Sequence, residues 1–167
     1  MELGGLDSVK ALIVYYSKTG HTKQAAEDIG RGMEGEGVEC VIKGAAECDG
    51  GVGEFEIVLI GSPTYGNRGY HKPARPLERF LDGLSPKGLE GKVCAAFTVN
   101  ASMGGSSVVK GMEEMLAERG GKVISGGPVV KAGVPLSLWK GPNASESDVK
   151  ECEEFGKKVA RQATDAV

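Results

Sequence analysis

Three hydroxyl side chains, Ser17, Thr19 and Thr22, stand within six residues around Gly20, with Lys18 and His21 between them. Residue types of this kind, in this spacing, can donate hydrogen bonds to the oxygens of a phosphate. The stretch before them, Ala11 to Tyr16, is β-branched and aromatic, as in a buried strand. Behind them Ala25, Ala26, Ile29 and Met33 recur at helical spacing. A strand, a tight turn and a helix start then follow one another. The turn leaves unpaired backbone N–H groups at the positive end of the helix dipole, which is a pocket suited to an anion. A plain cap by Thr19 would also start a helix, but capping takes one hydroxyl and this turn carries three.

Two further loops carry unusual residues. In 61–70, Pro63-Thr64-Tyr65-Gly66-Asn67 places an aromatic beside two residues that tolerate positive φ. Tyr65 can stack on a flat ring while the backbone at Gly66 and Asn67 meets its edge. An ordinary Pro-Gly turn with an incidental tyrosine fits the same residues. In 100–107, Asn100-Ala101-Ser102-Met103-Gly104-Gly105 is small enough for its backbone to approach a ligand closely. A strand-to-helix turn capped by Ser106 or Ser107 is the alternative.

The elements that would position these loops can be read from hydrophobic periodicity. Strands are expected at Ala11–Tyr16, Val38–Lys43, Phe55–Ile60, Lys92–Val99 and Lys122–Val130, the last able to break at Gly126-Gly127-Pro128. Between them, helical faces are carried by Leu77, Phe80, Leu81 and Leu84 within Pro73–Leu84, and by Val108, Val109, Met112, Met115 and Leu116. Residues 131 to 144 form a longer connection holding Trp139. Ser145 and Asp148 then resemble a cap and its N3 partner, ahead of a final helix with Val149, Cys152, Phe155, Val159 and Ala163 inward. Alternating strands and helices predict an α/β fold with a parallel sheet and helices on both faces. All three loops follow strands, so they gather beyond the carboxyl ends of the sheet, where such folds bind ligands.

On these residues the chain resembles the flavodoxin-like family. Y-S-K-T-G-H-T at 16–22, G-S-P-T-Y-G-N at 61–67 and the small-residue loop 100–105 match its three FMN-binding loops in order and spacing. The resemblance implies a doubly wound, five-stranded parallel sheet of order 2-1-3-4-5 in a single domain over 1–167. It implies that Ser17, Lys18, Thr19, Gly20, His21 and Thr22 bind the FMN phosphate. Pro63, Thr64, Tyr65, Gly66 and Asn67, with Asn100, Ala101, Ser102, Met103, Gly104 and Gly105, would flank the isoalloxazine, Gly66 lying next to N5. Two departures stand out: loop 100–107 has no aromatic, only Met103, and Arg68, His71, Lys72 and Arg75 follow the second loop where the family surrounds the flavin with acids. Cations turned inward would raise the flavin's potential; a solvated basic helix start explains them more simply.

Composition narrows the function classes. The 167 residues are 40% hydrophobic and 26% charged with a net charge of −3, values ordinary for a globular domain. Nothing basic enough for nucleic acid is present, no apolar run approaches a membrane span, and the N-terminus lacks a secretory pattern; a cytoplasmic protein is expected. Cys40, Cys48, Cys94 and Cys152 lack metal or redox spacing, and no metal is expected. The absence of G-x-x-x-x-G-K-[ST] and of acids at the strand ends argues against a nucleoside triphosphatase or a receiver domain. The expectation is an electron carrier with transient redox partner proteins and no side chain catalytic in the acid–base sense. The alternatives are an FMN-dependent NAD(P)H:quinone reductase, with His71 as its proton donor, and a non-flavin binding module on the same fold.

Overall fold

The computed structural model describes residues 8–64, 73–100, 104–131 and 146–165. Strand β1, Lys10–Tyr15, lies inside a parallel sheet between β2, Glu39–Gly44, and β3, Ile57–Pro63. Next to β3 comes β4, Val93–Asn100, and the far edge is built from β5, Lys122–Val123, and β6, Val129–Lys131. The order is therefore 2-1-3-4-5, as the family resemblance implies, with the fifth position filled by two short pieces that both pair with β4.

The break falls at the predicted glycines and has a steric cause. A Cβ at Gly127 would lie 1.6 Å from the carbonyl oxygen of Ala96, so only a glycine passes β4 here. Pro128 supplies no N–H, but its carbonyl accepts from Thr98 N at 3.0 Å and leads the chain back into β6.

Period-two alternation distributes the strand residues between two cores. Ala11, Ile13, Ile57, Leu59, Ala95 and Phe97 face α1, His21–Glu34, and α4, Glu146–Asp165, where Ile29, Met33, Phe155 and Val159 meet them. Leu12, Val14, Val58, Ile60, Cys94 and Ala96 face α2, Arg75–Asp82, and α3, Gly105–Glu118, where Leu77, Phe80, Leu81, Val108, Met112 and Leu116 close the second core. Burial on both faces is why β1 and β3 read as unbroken apolar runs.

Helices α1 and α4 approach closely because both are notched by glycine. A Cβ at Gly32 would meet the Glu153 carbonyl oxygen at 2.0 Å, and one at Gly156 would meet that of Ile29 at 2.1 Å. Asp28, 1% exposed, is the one charged side chain this deeply buried among the described residues. It accepts from Gln24 Nε2 at 3.0 Å and from the Arg31 guanidinium, a pairing that a buried carboxylate requires.

Several boundaries differ from the periodicity. Strand β3 begins at Ile57 because Phe55 N turns back to Val52 O, and it continues through Gly61-Ser62-Pro63, expected as loop, because those residues pair with Phe97, Thr98 and Val99. Helix α2 starts at Arg75 rather than Pro73, since Ala74 is extended at ψ 145° and sends its N–H to Ser62. Helix α3 starts at Gly105, ahead of its first apolar residue. Lys131 ends β6, and the rest of the connection 131–144 with Trp139, together with Ser145, lies outside the described residues.

Candidate functional site

The sheet changes winding direction at β1: β2 lies on one side of it, and β3 and then β4 extend on the other. Segments leaving the carboxyl ends of β1 and β3 diverge at such a point and open a crevice. Two of the three predicted loops start there, and the third follows β4, one strand further on.

The first loop is a tight turn that leaves N–H groups free. Tyr16 N donates to Gly61 O at 3.1 Å, fixing the chain beside β3 as it leaves the sheet. Gly20 N donates to Ser17 Oγ at 2.8 Å, which closes the turn. Gly20 itself adopts φ 94°, ψ −7°, and is the N-cap of α1 with no side-chain cap bond; positive φ favours glycine at this position. The first intrahelical donor is Gln24 N, bonded to Gly20 O at 3.0 Å. The N–H groups of His21, Thr22 and Lys23 precede it and have no intrahelical acceptor. No acidic residue lies in the first turn, so nothing on the helix offsets its positive end. Thr19 does not cap the helix. Its Oγ1 lies 2.6 Å from His21 Nδ1 instead, while Thr22 is 2% exposed.

The second loop is pinned at its base. Ser62, fully buried, accepts from Ala74 N at 2.9 Å and donates to Pro63 O at 2.8 Å, so one hydroxyl ties together both ends of the segment 63–74. Thr64 N donates to Val99 O at 2.9 Å, and Thr64 Oγ1 lies 2.7 Å from Thr98 Oγ1. Pro63 and Thr64 thus stand, half-buried, on a rigid platform. Tyr65, Gly66, Asn67, Arg68, His71 and Lys72 lie outside the described residues.

The third loop repeats the design of the first. Gly104, at φ 93° and ψ 0°, is the N-cap of α3, again with no side-chain cap and no acid in the first turn. Neither Ser106 nor Ser107 caps the helix. A Cβ at Gly104 would have Thr64 Cγ2 as its nearest neighbour, 3.9 Å away, so the second and third loops meet at these two residues. Asn100 ends β4 and Gly105 is buried in the first turn of α3. The Asn100 side chain and Ala101, Ser102 and Met103 lie outside the described residues.

Of the predicted site residues, the structure thus joins Ser17 to Thr22 into one turn and brings Thr64 near Gly104. Periodicity and motif reading missed Ser62 and Thr98, which hold the second loop. For Thr98 a hydroxyl within an apolar strand was the available signal; Ser62, between Gly61 and Pro63, read as loop and gave none. A separate cavity of about 270 Å³, lined by Val93, Lys122, Val123, Ile124, Gln162 and Asp165, lies where β4 and β5 begin, away from the three loops. Among the described residues no helix is long and apolar enough to cross a membrane.

The comparisons with known proteins agree with this arrangement. Residues 13–156 match the flavodoxin family model. A flavodoxin from Clostridium saccharobutylicum is 31% identical over 161 residues, covering 92% of this chain and 97% of that one. A solved archaeal flavodoxin superposes with a TM-score of 0.77 at 26% identity, over 93% of this chain and 99% of the other. Flavodoxin 2 from Bacillus cereus does so with a TM-score of 0.75 at 25% identity, over 92% and 99%. A family match over residues 13–156, with a relative 31% identical over 92% of this chain, places it in the flavodoxin family, whose cofactor is FMN.

Proposed function

We propose that this protein is a one-domain electron carrier of the cytoplasm that holds FMN through the turn 17–22 and the loops after β3 and β4. The observation that carries the reading is the start of α1. Its glycine cap, free first-turn N–H groups and lack of acids form a cradle for the phosphate dianion. Ser17, Thr19 and Thr22 add hydroxyls at its rim, and Lys18 adds an exposed cation. Pro63, Thr64, Tyr65, Gly66 and Asn67 with Asn100 to Gly105 then border the ring. The Gly104–Thr64 approach supports this placement, since no Cβ narrows the gap between the two loops.

Bound FMN would supply the redox chemistry, accepting electrons from one partner and releasing them to another. The chain's task is to bind the phosphate, orient the ring and set its surroundings. That relatives matched over most of this chain are themselves named flavodoxins supports the carrier reading.

The test is the visible spectrum after mixing with FMN and desalting. A retained flavin band, weakened by Thr19→Ala or Thr22→Ala for FMN but not for riboflavin, is the expected result. A colourless protein would refute the cofactor assignment. Steady-state NAD(P)H oxidation by the FMN-loaded protein with a quinone should be slow without a separate reductase; fast turnover would make the quinone reductase the correct reading.

A further inference from the structure

We infer that His21 is a positioning residue for phosphate binding, acting through Thr19. Its imidazole, protonated at Nδ1, donates to Thr19 Oγ1 and turns the Thr19 hydroxyl proton outward toward the phosphate. This rests on the phosphate-binding reading of the α1 turn.

The proton inventory carries the argument. Thr19 Oγ1 and His21 Nδ1 are 2.6 Å apart, a distance that allows either to donate. The other ring nitrogen, Nε2, is enclosed and has no hydrogen-bond partner among the described residues. If Thr19 donated, the neutral ring's one proton would sit on Nε2, as an enclosed N–H without an acceptor. Such orphaned donors are rarer in folded proteins than under-used acceptors. The imidazolium would carry the same orphan and a charge besides. With the proton on Nδ1, Nε2 keeps only an unused lone pair.

The consequence for Thr19 is direct. A hydroxyl has one proton and two lone pairs. If that proton went to His21, Thr19 would present only lone pairs to a phosphate, and these repel its oxygens. With His21 as donor, the proton is free. Thr19 is exposed at the mouth of the turn, where an anion can reach it, whereas the enclosed Nε2 cannot be reached directly. His21 also occupies the first position of α1, so the helix that presents the free N–H groups also fixes its ring.

Two measurements decide it. Long-range ¹⁵N–¹H NMR of the unliganded protein and of the FMN complex should show the His21 proton on Nδ1 and none on Nε2 in both. An Nε2–H signal overturns the inference. Binding of FMN and riboflavin is then compared across His21→Phe, His21→Asn, Thr19→Val and the double variant His21→Phe/Thr19→Val. His21→Phe leaves the Thr19 hydroxyl free to rotate. It should weaken FMN several-fold, less than the roughly tenfold scale of losing one hydrogen bond to a charged group, and leave riboflavin unchanged. His21→Asn, whose amide can place an N–H near the Nδ1 position, should recover most of the loss. In the Thr19→Val background, His21→Phe should add nothing; additive losses would show that His21 acts without Thr19. Failure of the unmodified protein to hold FMN would instead sink the cofactor reading, and the tautomer of the unliganded protein would still settle which group of the pair donates.

Discussion

Thr64 donates its hydroxyl proton to Thr98, across the gap between the ends of β3 and β4. The direction follows from the next link: Thr98 Oγ1 already donates to Ser62 O at 2.6 Å, and a hydroxyl has only one proton to give. The base of the second loop is therefore held by a one-way chain, Thr64 to Thr98 to Ser62. Only lone pairs of Thr64 remain for a ligand.

Thr98→Val should break both links at once, at a cost of about 2 kcal/mol in urea unfolding, because two polar groups in a buried setting lose their partner. Thr64→Val/Thr98→Val should cost less than the two single changes combined. Losses that add to within about 0.3 kcal/mol would show that the hydroxyls do not form one chain.

At the α1–α4 crossing, Gly156→Ala should destabilise by about 3 kcal/mol, since the new methyl would meet the Ile29 carbonyl oxygen at 2.1 Å and neither backbone can yield cheaply. Gly32→Ala should behave alike against Glu153 O. Gly37→Ala provides the contrast: its Cβ meets nothing within 4 Å, and only its φ of +86° opposes the change. A smaller loss at Gly156 than at Gly37 would contradict this packing.

Gly61 lies under the ring of Phe97, where a Cβ would approach to 2.1 Å. Gly61→Ala should lower the thermal midpoint and, because Gly61 O also holds Tyr16 N, loosen the first loop and weaken FMN binding. Trimming the obstacle in Gly61→Ala/Phe97→Leu should restore part of the midpoint. No recovery in the double variant would mean that backbone, not the ring, is the obstacle.

The buried thiols give a pH dependence with a definite sign. Burial, with Asp28 as the next cause, pushes Cys152 from 9.0 up to about 12, and burial raises Cys94 to about 12 as well. Between these values the unfolded chain has released thiol protons that the native state still holds. Raising the pH through this window therefore favours unfolding, and the thiols' contribution is complete only below about 9. Stability should fall from pH 9 toward 12, less steeply in Cys152→Ala than in the unmodified chain; parallel slopes would contradict the linkage.

Much of this fold is legible along the chain. Ala11 to Tyr16 ahead of Ser17-Lys18-Thr19-Gly20-His21-Thr22 marks a strand, a turn and a helix, because side-chain period and turn chemistry are local properties. The parallel sheet and the gathering of the loops at one end of it follow from alternation, with no contact needed, whereas the strand order came from the family resemblance. The three-hydroxyl turn likewise identifies itself by residue type.

What the tertiary structure decided is every feature that depends on residues distant in sequence. That Gly61 must yield to Phe97, and Gly127 to Ala96, is invisible until two strands lie side by side. That Ser62 closes a loop through Ala74, and Thr98 supports it through Thr64, depends on pairings 12 and 34 residues apart. The helix starts show the same division. Ser and Thr near a helix start read as caps by propensity, yet Gly20 and Gly104 take that position with positive φ. A cap is chosen by the direction from which the chain arrives, and that direction is set by the sheet.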